Sequence, residues 1–306
     1  MSACCDYFCR PKSSSMIYLL LSVVCSVLIG FIFKMFYRHG IDAFQAIVFN
    51  YLVCLTCGTV HLGRFPVREI DLDRSWLPYA VVLGFVFISG FNGAALTVRY
   101  FGVTVSQIMQ KMSILLTVPF AILVYNEPSD LWKVAGFLLA LLSIVLVNLP
   151  SAKQPGAKVA GKAIRMLWIP FLTWVLAGVI EVLFIRVHKE QFIDVGDPSF
   201  ISTVFGTAGL IGITLVGGGL LTKRLVFSWR NVLAGVALGI PNYGSMLFML
   251  LALGSGLDGS FVFPVANVGI IIVTTIGAVQ LFQEQLSTVN WLGIGLAIAA
   301  IFLISF

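Results

Sequence analysis

Residues 102–128 have the sequence GVTVSQIMQKMSILLTVPFAILVYNEP, an apolar run that is long enough to cross a bilayer but contains a lysine. That residue, Lys111, lies nine residues into the run, or roughly 13 Å along a helix that rises about 1.5 Å per residue. This depth is near the middle of a hydrocarbon core about 30 Å thick. A charge facing lipid there costs about 2.5 to 3.5 kcal/mol on insertion scales. Lys111 is therefore expected to face a bundle interior or a watery cavity.

Helical spacing predicts polar neighbours for Lys111. Gln107 precedes it by four residues and Gln110 by one, and Gln107 and Gln110 are three residues apart. Positions three or four apart share a helix face. Ser113 and Thr117 follow Lys111 in the same run. We predict that these side chains form a polar stripe on one helix over residues 102–125.

The composition places the whole chain in a membrane. Hydrophobic residues make up 59% and charged residues 10%, and the mean hydropathy is +1.02. In soluble domains about a quarter of the residues are charged. The net charge of +6 comes from basic residues that lie mainly between apolar runs, as membrane topology requires. The lipid bilayer is thus the expected partner, and nucleic-acid binding is not supported.

Apolar runs of about 20 residues predict ten transmembrane helices. Most of the connectors between them are short, so successive helices are expected to be antiparallel neighbours. The predicted ranges are 16–37, 42–62, 75–98, 102–125, 130–149, 166–187, 198–221, 228–253, 259–282 and 287–306.

A polar segment divides these helices five and five. Residues 151–165, SAKQPGAKVAGKAIR, have the composition of a linker. We predict an N-terminal tail over residues 1–15 and two five-helix units over residues 16–150 and 166–306. Five-helix units in tandem insert with opposite topology, as in many secondary transporters.

Matches between the two units support an internal repeat. At a constant offset of 157 residues, the glutamate that ends the fourth helix of each unit aligns, and Gln110 aligns with Asn267. The first helices align at an offset of 148 residues. The matched pairs include Ala95-Leu96 with Ala252-Leu253, Gly102 with Gly259, Thr117 with Thr274, Glu127 with Glu284, and Gly30 with Gly178.

These features resemble the EamA-like branch of the drug/metabolite transporter superfamily. The resemblance rests on the ten-helix pattern, the Ala-Leu pairs, the Gly-Val turns and the acidic junctions at Glu127 and Glu284. It implies two inverted five-helix repeats around a central cavity in a multi-pass cell-membrane protein of the bacterial inner-membrane type. Such proteins are export or exchange carriers for amino acids, other small metabolites, nucleotide sugars or drugs.

Two further ionisable residues lie inside predicted spans. Lys34 is late in the first helix, where snorkelling to the interface is expected. Glu181 is about two turns from a polar helix end, which is deep enough to need a partner. In one interpretation, Glu181 forms a buried ion pair with Lys111 or Lys34, and this pair has no role other than fixing the helix packing. Alternatively, Lys111 meets an anionic substrate group while Glu181 meets an amine or carries a proton.

Amides and a phenol complete the predicted binding site. They lie at comparable depths in helices three, eight and nine, and they are Asn92, Asn242, Tyr243 and Asn267. Amides in membranes often only tie helices together. Their placement in helices that the repeat matches favours a shared cavity with Lys111, Gln107, Gln110 and Glu181.

Enzyme chemistry has little support in the sequence. His39, His61 and His188 lie near span ends and form no metal-ligand or nucleophile pattern, and no phosphate-binding loop indicates ATP-driven transport. We expect no enzyme activity and no cofactor. The sequence predicts a secondary active transporter that exports or exchanges a small polar, amino-acid-like substrate, driven by a proton or substrate gradient. The alternative is a non-transporting receptor or assembly subunit whose buried charges are structural.

Overall fold

The computed structural model describes most of the apolar part of the chain. Gln107, Glu284 and the predicted linker lie outside the described residues, as does the side chain of Lys34. The described ranges are 12–66, 75–101, 106, 109–147, 166–192, 197–223, 225–282 and 287–304.

The regular elements in these ranges are α-helices, which confirms the predicted all-helical class. There are ten of them, and most begin and end within a few residues of the predicted positions. In chain order they are α1 (Lys12–His39), α2 (Ala43–Leu62), α3 (Leu77–Phe101), α4 (Ile114–Tyr125), α5 (Leu131–Val147), α6 (Trp168–Lys189), α7 (Pro198–Leu221), α8 (Trp229–Gly254), α9 (Gly259–Phe282) and α10 (Thr288–Ile304).

Seven of these helices are long and apolar enough to cross a membrane, namely α1, α2, α3, α6, α7, α8 and α9. The segments that contain α4, α5 and α10 are apolar but shorter. Many large apolar side chains on the outer faces are exposed, such as Leu20, Leu123 and Leu210. Such side chains suit a lipid environment, where no water has to be excluded from them.

The predicted single helix over residues 102–125 is wrong in one respect. Residues 109–111 are helical, but Met112 and Ser113 form a turn before α4 begins. The backbone there makes hydrogen bonds of the 3₁₀ type, between residues three apart. Leu115 N–H donates to the Met112 carbonyl at 3.0 Å, and Leu116 N–H donates to the Ser113 carbonyl at 2.8 Å. Such tightening within a helix often marks a hinge or strain. Lys111 therefore lies at a break in the helix.

The helices pack mainly across the two halves of the chain. α2 contacts α7 and α8, α3 contacts α6 and α7, and α5 contacts α10. By contrast, α1 and α2 are not packed neighbours, nor are α6 and α7. The prediction that successive helices are neighbours is therefore wrong in most cases. A short connector fixes only where two helix ends meet, whereas side-chain fit decides which helix lies between them.

Glycines permit the closest of these contacts. A Cβ atom on Gly235 of α8 would lie 2.7 Å from the Ala46 carbonyl of α2, and one on Gly239 would lie 2.6 Å from the Val53 side chain. In membranes, small residues let helix backbones approach and gain van der Waals contact. Three glycines of α7, Gly206, Gly209 and Gly212, likewise lie against α2, with Gly212 next to Val48.

Candidate functional site

The Lys111 ammonium is held by an amide from the other half of the chain. Its Nζ donates a hydrogen bond to Asn267 Oδ1 in α9, over 3.1 Å. No second acceptor for Nζ occurs among the described residues. An ammonium carries three N–H donors, so two of them have no acceptor among the described residues. The Lys111 side chain is partly exposed, whereas Asn267 is buried.

Asn267 also links Lys111 to Glu181, which is likewise partly exposed. Its Nδ2 donates to Glu181 Oε1 in α6 over 3.2 Å. The Lys111 ammonium and the Glu181 carboxylate do not come within 4.0 Å of each other, so they form no direct ion pair. The amide thus binds the cation with its oxygen and the anion with its nitrogen. We call this group of Lys111, Asn267 and Glu181 the charge bridge.

Two hydroxyl groups from the α4 region complete the surroundings of Glu181. The Thr117 hydroxyl is hydrogen-bonded to Glu181 Oε2 at 2.5 Å and also lies 3.1 Å from the Ser113 carbonyl. The Ser113 hydroxyl is buried close to the same carboxylate but makes no hydrogen bond of good geometry with a described residue. The neighbours of the Glu181 carboxylate are therefore neutral donors. Lys111 does not contact the carboxylate directly and is linked to it through the Asn267 amide.

Packing at the junction of α4, α6 and α9 fixes these groups in place. Gly178 of α6 allows Leu116 of α4 to approach, since an added Cβ would lie 2.5 Å from Leu116 Cδ1. Trp174 of α6 donates its indole N–H to the Met112 carbonyl over 2.9 Å. That bond stabilises the turn after Lys111, because the Met112 carbonyl, which already accepts from Leu115 N–H, has a second lone pair for a side-chain donor.

The structure does not bring all the predicted binding residues into the charge bridge. Gln107 lies outside the described residues. Gln110 is exposed and donates back to the Ser106 carbonyl over 3.3 Å. Asn92 donates to the Ile88 carbonyl of its own helix over 2.7 Å. These two amides are therefore satisfied within their own segments.

Asn242 and Tyr243 belong to a second polar cluster, between α2 and α8. Asn242 Nδ2 donates to Asn50 Oδ1 over 3.1 Å, and the Tyr243 hydroxyl is 2.9 Å from His61 Nδ1. The Cys54 thiol lies in the same cluster and donates to the Gly239 carbonyl over 3.2 Å. These bonds tie the two helices together, which is the usual role of amides in membranes.

A third polar group closes one end of the α4–α6–α9 junction. The buried Glu127 carboxylate follows α4 and accepts the first backbone N–H groups of α9, from Gly259 at 3.1 Å and Ser260 at 2.8 Å. Lys189 at the end of α6 pairs with Glu127 at 3.0 Å and with Asp258 at 3.3 Å. An anion at a helix N-terminus is favoured by both the free N–H groups and the helix dipole.

Burial and hydrogen bonding act in opposite directions on Glu127. Burial raises the pKa of its carboxyl, but the hydrogen bonds from Ser260 and the contact with Lys189 outweigh burial and leave the pKa below its ordinary value of 4.5. Between Lys189 and Glu181 on α6 lies Ile185, which is buried against Gly259. An apolar side chain thus separates the Glu127 group from the charge bridge.

Thr117 and Trp174 contribute contacts that the predicted site omitted. Thr117 was expected on the polar stripe, but spacing alone does not predict its bond to Glu181 of α6, and a turn at residues 112–113 interrupts the helix between Lys111 and Thr117. Trp174 lies in an apolar run with no polar neighbour to single it out. In the described residues, no cluster of three or more histidine, cysteine or acidic side chains could hold a metal ion.

Comparison with known proteins agrees with this architecture. An uncharacterised protein of Haemophilus influenzae (strain Rd) is 27% identical over 292 residues, covering 93% of this chain and 96% of its own length. A protein of known crystal structure superposes with a TM-score of 0.74 at 14% identity, covering 95% of this chain and 96% of that one. At such low identity the second match shows a shared fold alone.

The apolar helices and the buried charges define a multi-pass helical membrane protein. Residues 13–149 match the model of the EamA-like transporter family. This match over the first half of the chain confirms the resemblance seen in the sequence. The matched family suggests a membrane transporter of the drug/metabolite type.

Proposed function

We propose that the protein is a secondary active transporter that exports or exchanges a small polar metabolite, which binds at the charge bridge. The observation that carries this proposal is the Lys111 ammonium, which one amide oxygen holds among the described residues, on a residue that is partly exposed. A cation that served only packing would be paired with a carboxylate, since an unpaired charge is costly inside a membrane. The spare N–H donors suit an anionic group of a ligand.

The charge bridge joins the two halves of the chain. Lys111 and Thr117 come from the first half, whereas Glu181 and Asn267 come from the second. Any movement of one half against the other therefore changes the shape of the site. This supports alternating access, in which the halves rock around a fixed site.

The helix contacts support an inverted repeat as the basis of that movement. Exchanging each helix for its counterpart in the other half converts the pair α2–α8 into α7–α3, and the pair α1–α8 into α6–α3. All four pairs are in contact. We therefore take residues 16–150 and 166–306 as the two moving units.

The Glu127 group supplies a closed end for one access path. Lys189 and α9 come from the second half, whereas Glu127 comes from the first. With Ile185 buried beneath it, this contact separates the charge bridge from that end of the bundle. Opening this path requires the Glu127–Lys189 pair and the α9 contacts to separate.

The charge balance favours an amino-acid-like substrate. A zwitterion carries a carboxylate that suits Lys111 and an ammonium that suits Glu181. We place the protein in the cell membrane, of the bacterial inner-membrane type, because that is where the resemblance puts its relatives. The driving force is a proton gradient or exchange for a second substrate.

A melting-temperature screen of the purified full-length protein tests this function. Amino acids, organic phosphates, nucleosides and organic cations are compared for the thermal shift that they cause. We expect an amino-acid-like compound to raise the melting temperature of the wild type and of Lys133→Met, but not of Lys111→Met. Lys133 is a suitable control because it lies near the surface, on the Pro128 carbonyl. Equal shifts in all three proteins, or no shift by any compound, would overturn the proposal.

A further inference from the structure

The charge bridge contains one positive and one negative charge and no other. Among the described side chains, Lys111 is the charged group that interacts with Glu181, and Glu181 is the charged group that interacts with Lys111. The partners that α4 and α9 present to Glu181 are neutral, namely Thr117, Ser113 and Asn267. Without a ligand the group is therefore neutral when both residues are ionised.

A bound anion would upset that balance. If an anion neutralises Lys111, the Glu181 carboxylate is left as an uncompensated charge in a region of low dielectric constant, which is costly. One proton on Glu181 restores neutrality. From this we infer that the site also accepts a ligand without an ammonium, a small monocarboxylate, which binds at Lys111 together with one proton at Glu181. This inference rests on the proposed function, since it assigns the ligand class of the same site.

Thr117 provides the geometry that both protonation states need. Its hydroxyl has a single hydrogen but two acceptors within reach, Glu181 Oε2 and the Ser113 carbonyl. When Glu181 is ionised, the hydroxyl donates to the carboxylate. When Glu181 is protonated, its new O–H donates to the hydroxyl oxygen, and the hydroxyl donates to the carbonyl instead. Both states are satisfied by rotating one hydrogen.

Asn267 holds the two binding positions apart while linking them. Its oxygen stays on the Lys111 ammonium and its nitrogen on Glu181 Oε1, so the two charges cannot collapse into a direct pair. The two N–H donors of Lys111 that have no acceptor among the described residues would then bind a carboxylate. The proton moves from solvent to Glu181 and the anion from solvent to Lys111, and no covalent bond changes other than that O–H.

The number of cations limits the charge of the ligand. One Lys111 and one protonated Glu181 balance a single negative charge, whereas a dianion would leave the site negative. Lactate and acetate are therefore suitable probes, and succinate is the matched comparison with a second carboxylate. Unlike a zwitterion, these probes bring no ammonium to satisfy Glu181.

Proton uptake on binding is the direct test, measured with the full-length protein in weakly buffered detergent solution. Lactate should bind with uptake of up to one proton per molecule, and its affinity should rise about tenfold per unit fall in pH while Glu181 is ionised. Glu181→Gln should bind lactate without proton uptake and with little pH dependence. Thr117→Val should flatten the pH dependence more than Thr117→Ser, which keeps a hydroxyl.

A ligand-free measurement separates this inference from the transport function. Infrared spectra at neutral pH should show the carbonyl band of a protonated carboxylic acid in Lys111→Met, and the band should be missing from Lys111→Met/Glu181→Gln. Absence of the band in Lys111→Met would overturn the inferred coupling between the charge of Lys111 and the protonation of Glu181.

Lactate binding without proton uptake would also overturn this coupling but would not contradict the proposed transport function. Failure of lactate and acetate to bind, with amino acids still stabilising the protein, would reject the monocarboxylate and retain the proposed function.

Discussion

The Lys111 ammonium lies 3.1 Å from the Asn267 amide oxygen, so the cation of the first half is held by a side chain of the second. The same amide donates to Glu181 over 3.2 Å. This arrangement keeps opposite charges near each other without direct contact. A packing ion pair would instead bring the carboxylate into direct contact with the ammonium.

Replacing Asn267 should loosen the junction of α4, α6 and α9. Asn267→Ala removes a partner from both Lys111 and Glu181, and bonds to charged groups contribute about 1.5 to 3 kcal/mol. We expect a lower melting temperature and a larger loss than Asn92→Ala causes, because Asn92 bonds only to the Ile88 carbonyl of its own helix. A loss equal to that of Asn92→Ala would contradict the bridging role.

Glu127 should make stability depend on pH in the acid range. Its pKa is lowered in the folded protein, so the carboxylate contributes stability above its ordinary pKa of 4.5. That contribution is lost as the pH falls from there through the folded pKa. Glu127→Gln should therefore cost about 1 to 3 kcal/mol near neutral pH, and the difference from wild type should shrink on acidification. A difference in melting temperature that stays constant with pH would contradict this account.

Trp174 should position Lys111 through the backbone. Trp174→Phe keeps an aromatic ring but removes the donor to the Met112 carbonyl. A bond of this kind is worth about 1 kcal/mol, or roughly a fivefold loss of affinity if the turn relaxes. Trp174→Phe should therefore lower the affinity for the ligand identified by thermal shift about fivefold. Trp132→Phe, at an exposed position of α5, is the matched control and should leave the affinity unchanged.

Close contact between α2 and α8 should make Gly235 sensitive to a single methyl group. Gly235→Ala would place a Cβ 2.7 Å from the Ala46 carbonyl, and overpacking of this kind costs about 1 to 3 kcal/mol. Gly217→Ala meets nothing within 4 Å, and alanine is the better helix former by about 0.5 to 1 kcal/mol. The melting temperature should fall for Gly235→Ala and should stay the same or rise for Gly217→Ala. The reverse order would mean that α2 and α8 are further apart.

The positions of the helices could be predicted because they follow from apolar run lengths, whereas the depth of Lys111 in the bilayer stays a prediction. The pairing of Gln110 with Asn267 in the repeat also singled out the amide that binds Lys111, although Gln110 itself is not its partner. Which helices touch could not be predicted, since connectors fix helix ends and not packing. The turn at residues 112–113 was equally hidden. Its Met112 carbonyl accepts a hydrogen bond from the Trp174 indole, which is distant in sequence, and the turn interrupts the regular helix that a continuous stripe requires.

Substrate counterflow in proteoliposomes tests the central claim most directly. Vesicles containing the purified protein are preloaded with the compound that stabilises it, and entry of the labelled compound is followed. Wild type and Lys133→Met should accumulate label transiently, whereas Lys111→Met should match protein-free vesicles. Full counterflow by Lys111→Met would show that the charge bridge is not the substrate site.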